Sequence, residues 1–228
     1  MRIDVIASGS SGNCYRISDG KTTLLLDAGI PFKKVQIGCG FKTSNIKGCL
    51  VTHRHGDHAK AISHLAARGI AVYGPKDLQE LCPKVNGLLP LQAISIGSVT
   101  VLPFDVAHDV PCFGYQIQST ETQEKLVYIT DTAYVKYKFS ALTHVMIEAN
   151  YEGNIMTGNV HNGSLPGCVA ARIYRSHMSI DTVLNFLKAN DMQNVKQIYL
   201  LHLSNVNSNA ERFKELVQRQ TGAEVYVY

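Results

Sequence analysis

Three imidazoles and a carboxylate crowd into six residues of the segment Thr52-His53-Arg54-His55-Gly56-Asp57-His58. Such groups are costly to gather in one place unless something satisfies them together. Neutral imidazole nitrogen and carboxylate oxygen are the donors that zinc and similar divalent ions take, so a cation resolves the conflict. The segment also sits at a change of pattern. Residues 46–52 read as a buried strand, and residues 56–68 as a helix with Ala59, Ile62, Leu65 and Ala66 near one face and Gly69 closing it. His53 and His55 are two apart, so in an extended turn they point the same way. Asp57 and His58, at the expected helix start, can face a second ion.

The rest of the chain bounds what can surround this segment. Of 228 residues, 45% are hydrophobic and 18% charged, enough apolar material for a full core and too much for disorder. The net charge of +4 permits an anionic substrate, but there is no dense basic stripe of the kind a dedicated nucleic-acid binder shows. No run of 18 apolar residues exists, which excludes a transmembrane helix. Met1-Arg2-Ile3-Asp4-Val5 does not open a secretory leader, so the expected location is cytoplasmic. Six scattered cysteines without a CxxC pair are expected to be buried, reduced thiols.

Strands are expected at 2–6, 14–17, 22–26, 46–52, 70–73, 94–96, 99–106, 112–118, 125–130, 143–148, 195–201 and 224–228, and helices at 56–68, 75–81, 164–175, 180–189 and 209–219. Helices and strands interleave without a regular βαβ period. That argues against a plain doubly wound sheet and for two mixed sheets packed face to face with helices outside. With no repeat, low-complexity tract or linker, residues 1–228 are expected to form one domain.

Two ions need more donors than the motif holds, and rigid strand ends are where donors can be aimed. His108, Asp131 and His202 each follow an expected strand, which brings the set to seven. Asp27, then His53, His55, Asp57 and His58, then His108, Asp131 and His202 resemble in order the five motifs of metallo-β-lactamase-fold hydrolases. The resemblance implies an α/β fold, a four-layer αββα sandwich of two mixed sheets flanked by helices, with the metals at one edge. It places His53, His55 and His108 on a first ion and Asp57, His58 and His202 on a second, with Asp131 bridging and Asp27 bracing the loop from behind. Ser8-Gly9-Ser10-Ser11-Gly12-Asn13, Asp131-Thr132-Ala133-Tyr134, Glu148-Ala149-Asn150, Ser176-His177-Met178-Ser179 and His202-Leu203-Ser204 together resemble the YycJ/WalJ branch, whose members are taken as DNA exonucleases and have relatives among phage recombination genes. The chain departs from that branch at Ser176-His177-Met178-Ser179-Ile180, where Gly-His-Leu-Ser-Asn is usual, and at Val160-His161, where Tyr-Pro is usual.

Two ions roughly 3.5–4 Å apart acidify a shared water to a pKa of about 7, and the resulting hydroxide is the expected nucleophile, with Asp57 able to orient it. An aspartate bridge leaves an oxygen-rich site that suits manganese as well as zinc and favours phosphodiester hydrolysis. His177 lies between two expected helices with Ser179 as a cap, and is expected to contact the scissile phosphate or protonate the leaving oxygen. Asn13, Asn150 and Ser179 are candidate substrate contacts, and Glu148 a buried carboxylate paired behind the ligands. His64 is expected to face solvent and His144 to be structural, while His161, in a glycine-rich loop, is open. Tyr134 and Tyr137 suit either base stacking or packing. The 71 residues from Asp131 to His202 are too few for a β-CASP domain, and the 50 from His58 to His108 leave little room for a long exosite arm. The expectation is therefore a compact DNA exonuclease with DNA as its substrate partner, no membrane, and a recombination protein or a second copy of the chain as further candidate partners. The alternative is a small-molecule hydrolase acting on cyclic nucleotides, lactones or thioesters.

Overall fold

A computed structural model describes all residues 1–228, which divide into two compact units: residues 1–105 with 110–124, and residues 106–109 with 125–228. The first unit contains strands β1 (Arg2–Ala7), β2 (Cys14–Ser18), β3 (Thr23–Leu26), β4 (Ile46–Leu50), β5 (Ala71–Gly74), β6 (Asn86–Gly87), β7 (Ile94–Ile96), most of β8 (Val99–Val106) and β9 (Cys112–Ser119), with helices α1 (Phe32–Gly38), α2 (Gly56–Ala59) and α3 (Ile62–Ala67). The second contains β10 (Lys125–Ile129), β11 (His144–Glu148), β12 (Gln197–Leu201) and β13 (Glu224–Val227), with α4 (Gly153–His161), α5 (Gly167–Ser176), α6 (Ile180–Ala189) and α7 (Ala210–Thr221). The class is α/β, with two mixed sheets flanked by helices, as expected.

In the first unit β1 to β6 lie side by side in chain order. β1, β2 and β3 are antiparallel, and β3 to β6 run parallel. Leu25, Val35, Cys49, Val51, Leu65 and Val72 meet in its core, and α1 and α3 supply the helical share. The second unit has β10, β11 and β12 parallel, with β13 parallel beyond β12. All five residues of β11 are buried, as expected for a central parallel strand covered on both faces. The helices start and stop by ordinary capping. Ser179 Oγ accepts from Thr182 N at the head of α6, Asn209 Oδ1 accepts from Arg212 N at the head of α7, and Gly222 ends α7 at φ 69°.

Three departures from the sequence reading stand out. The helix expected over 56–68 is two short ones. Asp57 O accepts from Asn13 N at 2.8 Å, while Ala61 N, which would have continued the helix onto Asp57 O, donates to Ala28 O at 2.8 Å. The helix expected from 164 begins at Gly167, because Pro166 stands at its N-cap with extended backbone, ψ 136°. Finally, α1 and α4 fall where no element is expected. Two glycines and two asparagines in Gly153–His161 hide a helix whose end carries His161, so that exposed histidine is not in a loop. Five cysteines are free and buried, and Cys168 is exposed. His64 is exposed, stacked on Phe32 at 5.9 Å, and His144 is buried with Nδ1 at 2.9 Å from Thr143 Oγ1.

Candidate functional site

In the first unit the donors cluster at the carboxyl ends of β3 and β4. Asp27, directly after β3, is fully buried and ties Thr52 to His58. Its Oδ1 accepts from Thr52 N at 2.8 Å and Thr52 Oγ1 at 3.0 Å, and its Oδ2 lies 2.8 Å from His58 Nδ1. A carboxylate on Nδ1 fixes the ring and leaves Nε2 as the basic nitrogen, the arrangement found behind metal-binding histidines. His58 Nε2 stands 3.6 Å from Asp57 Oδ2 and 3.0 Å from Asn13 Nδ2. His53 Nε2 and His55 Nδ1 are 3.0 Å apart, and the His53 and His58 rings are 4.3 Å apart. Two nitrogens on one tetrahedral zinc, each bonded at 2.0–2.1 Å, would stand roughly 3.3 Å apart, so the pair is spaced as ligands of a single ion are.

The backbone of this loop is laced in place. Ala28 N donates to His58 O, and Gly29 N to Asn13 O, both at 2.8 Å. Gly29 must be glycine: a Cβ there would sit 1.6 Å from Asp57 O. Asn13 is buried, accepts from Gly9 N and Tyr15 Oη at 2.9 Å, and donates toward Gly9 O, so it pins the glycine turn Ser8–Asn13 to the histidine loop.

In the second unit the centre is Glu148, the last residue of β11, fully buried. Its Oε1 accepts from His177 Nδ1 at 2.6 Å and His202 Nδ1 at 2.9 Å, and its Oε2 from Met178 N at 3.0 Å. Burial alone would push this carboxyl up. The His177 charge and the bonds from His177 and His202 outweigh burial and hold it below the usual carboxylate range. Burial likewise presses His177 down, and Glu148 outweighs it, so His177 titrates above an ordinary histidine. Asp131 Oδ1 is 3.6 Å from His177 Nδ1, the His177 and His202 rings stack at 5.4 Å, and the His108 ring stands edge-on to His177 at 6.4 Å. Asn150 Nδ2 donates to His202 O at 2.9 Å, and Ser179 Oγ is engaged by Thr182.

Ligand atoms of Asp131, Glu148, His177 and His202 all lie within 4.8 Å of one another. Donors on opposite sides of one ion stand about 4.2 Å apart at most, twice a 2.1 Å bond, so this group is looser than the shell of a single ion, and two of its nitrogens, His177 Nδ1 and His202 Nδ1, already bond Glu148 Oε1. Imidazoles braced by carboxylates, with further carboxylate oxygens beside them, make a donor set that fits zinc or manganese. Each unit thus gathers its own share of the expected residues: Asp27, His53, His55, Asp57 and His58 in the first, and His108, Asp131, Glu148, His177 and His202 in the second. Sequence reasoning missed Thr52, whose hydroxyl lies 3.0 Å from His53 Nδ1 and 3.2 Å from His58 Nδ1, and Cys112, with Sγ 3.7 Å from His53 Nδ1. Thr52 adjoins the motif and was in plain view. Nothing local marks Cys112.

Residues 22–203 match the family model described as beta-lactamase superfamily domain. The exodeoxyribonuclease YycJ of Bacillus anthracis is 29% identical over 231 residues, covering 92% of this chain and 85% of that protein. The exodeoxyribonuclease WalJ of Streptococcus pneumoniae is 26% identical over 234 residues, covering 92% and 84%. Among solved structures, the metallo-beta-lactamase fold protein YhfI from Bacillus subtilis superposes with a TM-score of 0.72 at 17% identity, covering 99% of this chain and 95% of that one. No helix is long and apolar enough to cross a membrane.

Proposed function

The chain belongs to the beta-lactamase superfamily, and from that premise we propose that it is a metal-dependent phosphodiester hydrolase acting on DNA, as an exonuclease. The observation that carries the reading is Glu148: one buried oxygen orients both His177 and His202, so a ligand and a proton-carrying histidine are set by the same carboxylate. The names of YycJ and WalJ, relatives along nearly the whole chain, support DNA as the substrate class.

In this reading His53, His55, Asp57, His58, His108, Asp131 and His202 are the residues that would hold two divalent ions, zinc or manganese. When bound, such a pair supplies a water of lowered pKa and neutralises charge developing on the phosphate. Asp27 keeps the His58 ring in one orientation and Glu148 that of His202. Asp57, at the start of α2, orients the attacking water. His177, held at Nδ1 by Glu148, has Nε2 to give a proton to the leaving oxygen. Asn150, bonded to the His202 carbonyl, and Ser179, two residues beyond His177 at the head of α6, are the proposed substrate contacts with Asn13.

The test is incubation of metal-loaded protein with end-labelled duplex DNA, single-stranded DNA, RNA and cyclic nucleotides side by side. Stepwise shortening of DNA is expected. Turnover confined to cyclic nucleotides, or to a lactone or thioester, would overturn the reading.

A further inference from the structure

The chain has eight arginines, and six are engaged. Arg2 and Arg16 pair with Asp4, Arg54 with Glu80, Arg212 with Glu152 and Arg219 with Glu215, while Arg68 lies over the Phe32 ring. Arg172 and Arg175 have neither a carboxylate nor a ring. Arg175 Nε donates to Ala171 O at 3.1 Å, one turn back, and both guanidiniums are on the exposed side of α5. The surrounding sequence contains nothing to neutralise them: no Asp or Glu occurs between Glu152 and Asp181. A basic residue in the last turn of a helix complements its dipole, which accounts for Arg175 but not for a second cation a turn earlier.

Their position gives the pair a use. Three residues apart on a helix, the two side chains share a face, with Cβ atoms about 5–6 Å apart. α5 ends at Ser176, and the next residue is His177, held by Glu148. Between the two arginines in sequence stands Tyr174, 67% exposed. On the helix Tyr174 lies about 100° round from Arg175, so its ring flanks the arginine face rather than sharing it; guanidiniums on phosphates with a flanking ring on a base are the chemistry that grips a single nucleic-acid strand.

We infer that Arg172 and Arg175 clamp the phosphates of single-stranded DNA next to the bond being cut, with Tyr174 stacking a base. The clamp rests on the reading that His177 meets the scissile phosphodiester, and it adds to that reading which residues hold the strand.

The experiment compares the full chain, metal-loaded, with Arg172→Ser/Arg175→Ser, with Arg172→Lys/Arg175→Lys and with Tyr174→Ala. Each is assayed for cleavage of a single-stranded oligonucleotide with and without inorganic polyphosphate as competitor, for binding of the same fluorescein-labelled oligonucleotide by anisotropy across a salt series, and for hydrolysis of bis(p-nitrophenyl) phosphate. Each single-strand phosphate contact contributes about 0.7 to the slope of log affinity against log salt. The serine pair should therefore flatten the slope by about 1.4 and raise KM and Kd on the order of tenfold, with bis(p-nitrophenyl) phosphate turnover unchanged. The lysine pair should keep the slope. Tyr174→Ala should weaken the oligonucleotide but leave inhibition by inorganic polyphosphate as it was. A serine pair that binds with the wild-type Kd and slope overturns the clamp, and Tyr174→Ala weakening both ligands equally, or neither, overturns its assignment to nucleic acid. If the wild type cuts no DNA, the functional reading fails separately. Binding then still decides the clamp: loss on removing the arginines upholds it, and no loss overturns it.

Discussion

Replacing Glu148 by Gln separates the two jobs of this carboxylate, because its two oxygens have different partners. Oε1 takes both imidazole Nδ1 atoms, and Oε2 takes Met178 N. An amide has one acceptor and one donor end, so it cannot satisfy both sets. With its oxygen in place of Oε1, the amide nitrogen confronts Met178 N–H at a spacing of 3.0 Å. Flipped, it confronts two imidazoles. The first orientation is the cheaper. It leaves one buried donor unsatisfied, about 1–3 kcal/mol, and turns two charge-assisted bonds into neutral ones, roughly 1 kcal/mol each. Removing a buried charge returns part of this, so the net loss should be about 2 kcal/mol. At about 2–4 °C per kcal/mol for a chain of this size, Tm falls by roughly 4–8 °C. The second effect is on the ion. With His202 no longer fixed by a carboxylate, metal affinity should drop about 10–100-fold. Thermal unfolding with chelator present isolates the first effect, and competition for zinc against a fluorescent chelator measures the second. A Glu148→Gln protein with wild-type metal affinity and a lowered Tm would show that Glu148 serves folding alone, and the role given to it here would be lost.

Gly29→Ala should destabilise by more than the usual 1–3 kcal/mol of an overpacked site, because the clash is with backbone, Asp57 O at 1.6 Å; urea unfolding checks it, and a loss under 1 kcal/mol refutes the close approach. Burial pushes the His144 imidazole down to about 4. The unfolded chain then binds the extra proton first, so this stabilisation is complete above about pH 6.5 and is lost as pH falls toward 4, on the order of 3 kcal/mol in all. His144→Gln should flatten the denaturation-derived stability over that range, and an unchanged slope would show that the residue does not titrate there. Exhaustive chelation should abolish turnover and lower Tm, with zinc or manganese restoring both. Ion at 100 times its Kd adds about 2.7 kcal/mol, so a Tm indifferent to metal argues against a folded-state cation site.

How much of this was legible in the sequence depends on how far each cause reaches. Alternation marked β1 and β2, and continuous apolar runs marked β10 and β12, because strand formation follows burial of a local pattern, and Ser179 marked the head of α6 because a cap acts over three residues. The break between α2 and α3 was hidden because it depends on competition for one carbonyl: Asp57 O goes to Asn13 N, 44 residues away, and Ala61 N turns to Ala28 O. Glu148 was legible as a buried, paired carboxylate. That both imidazoles would converge on one of its oxygens depended on β11, β12 and the α5–α6 junction ending side by side. The donors of each unit were visible as residues at strand ends, but the dihedral angles that turn them were not.

Asp27, Asp131 and His202 have φ of 56°, 53° and 55°, in the left-handed region that side-chain-bearing residues avoid. The region alone marks nothing, since Phe41, Leu91, Gln123 and Ala141 occupy it too. Those four are all exposed, whereas Asp27, Asp131 and His202 are all buried. An exposed turn takes this conformation to reverse the chain. A buried polar residue that does so at the carboxyl end of a parallel strand bears a strain of about 1–3 kcal/mol and a desolvated donor, and local bonds must hold it there. Thr52 does so for Asp27, Thr130 Oγ1 at 2.7 Å for Asp131, and Asn150 with Glu148 for His202. What the three residues share is a desolvated donor fixed at the end of its strand, the arrangement that the proposed metal-binding role asks for.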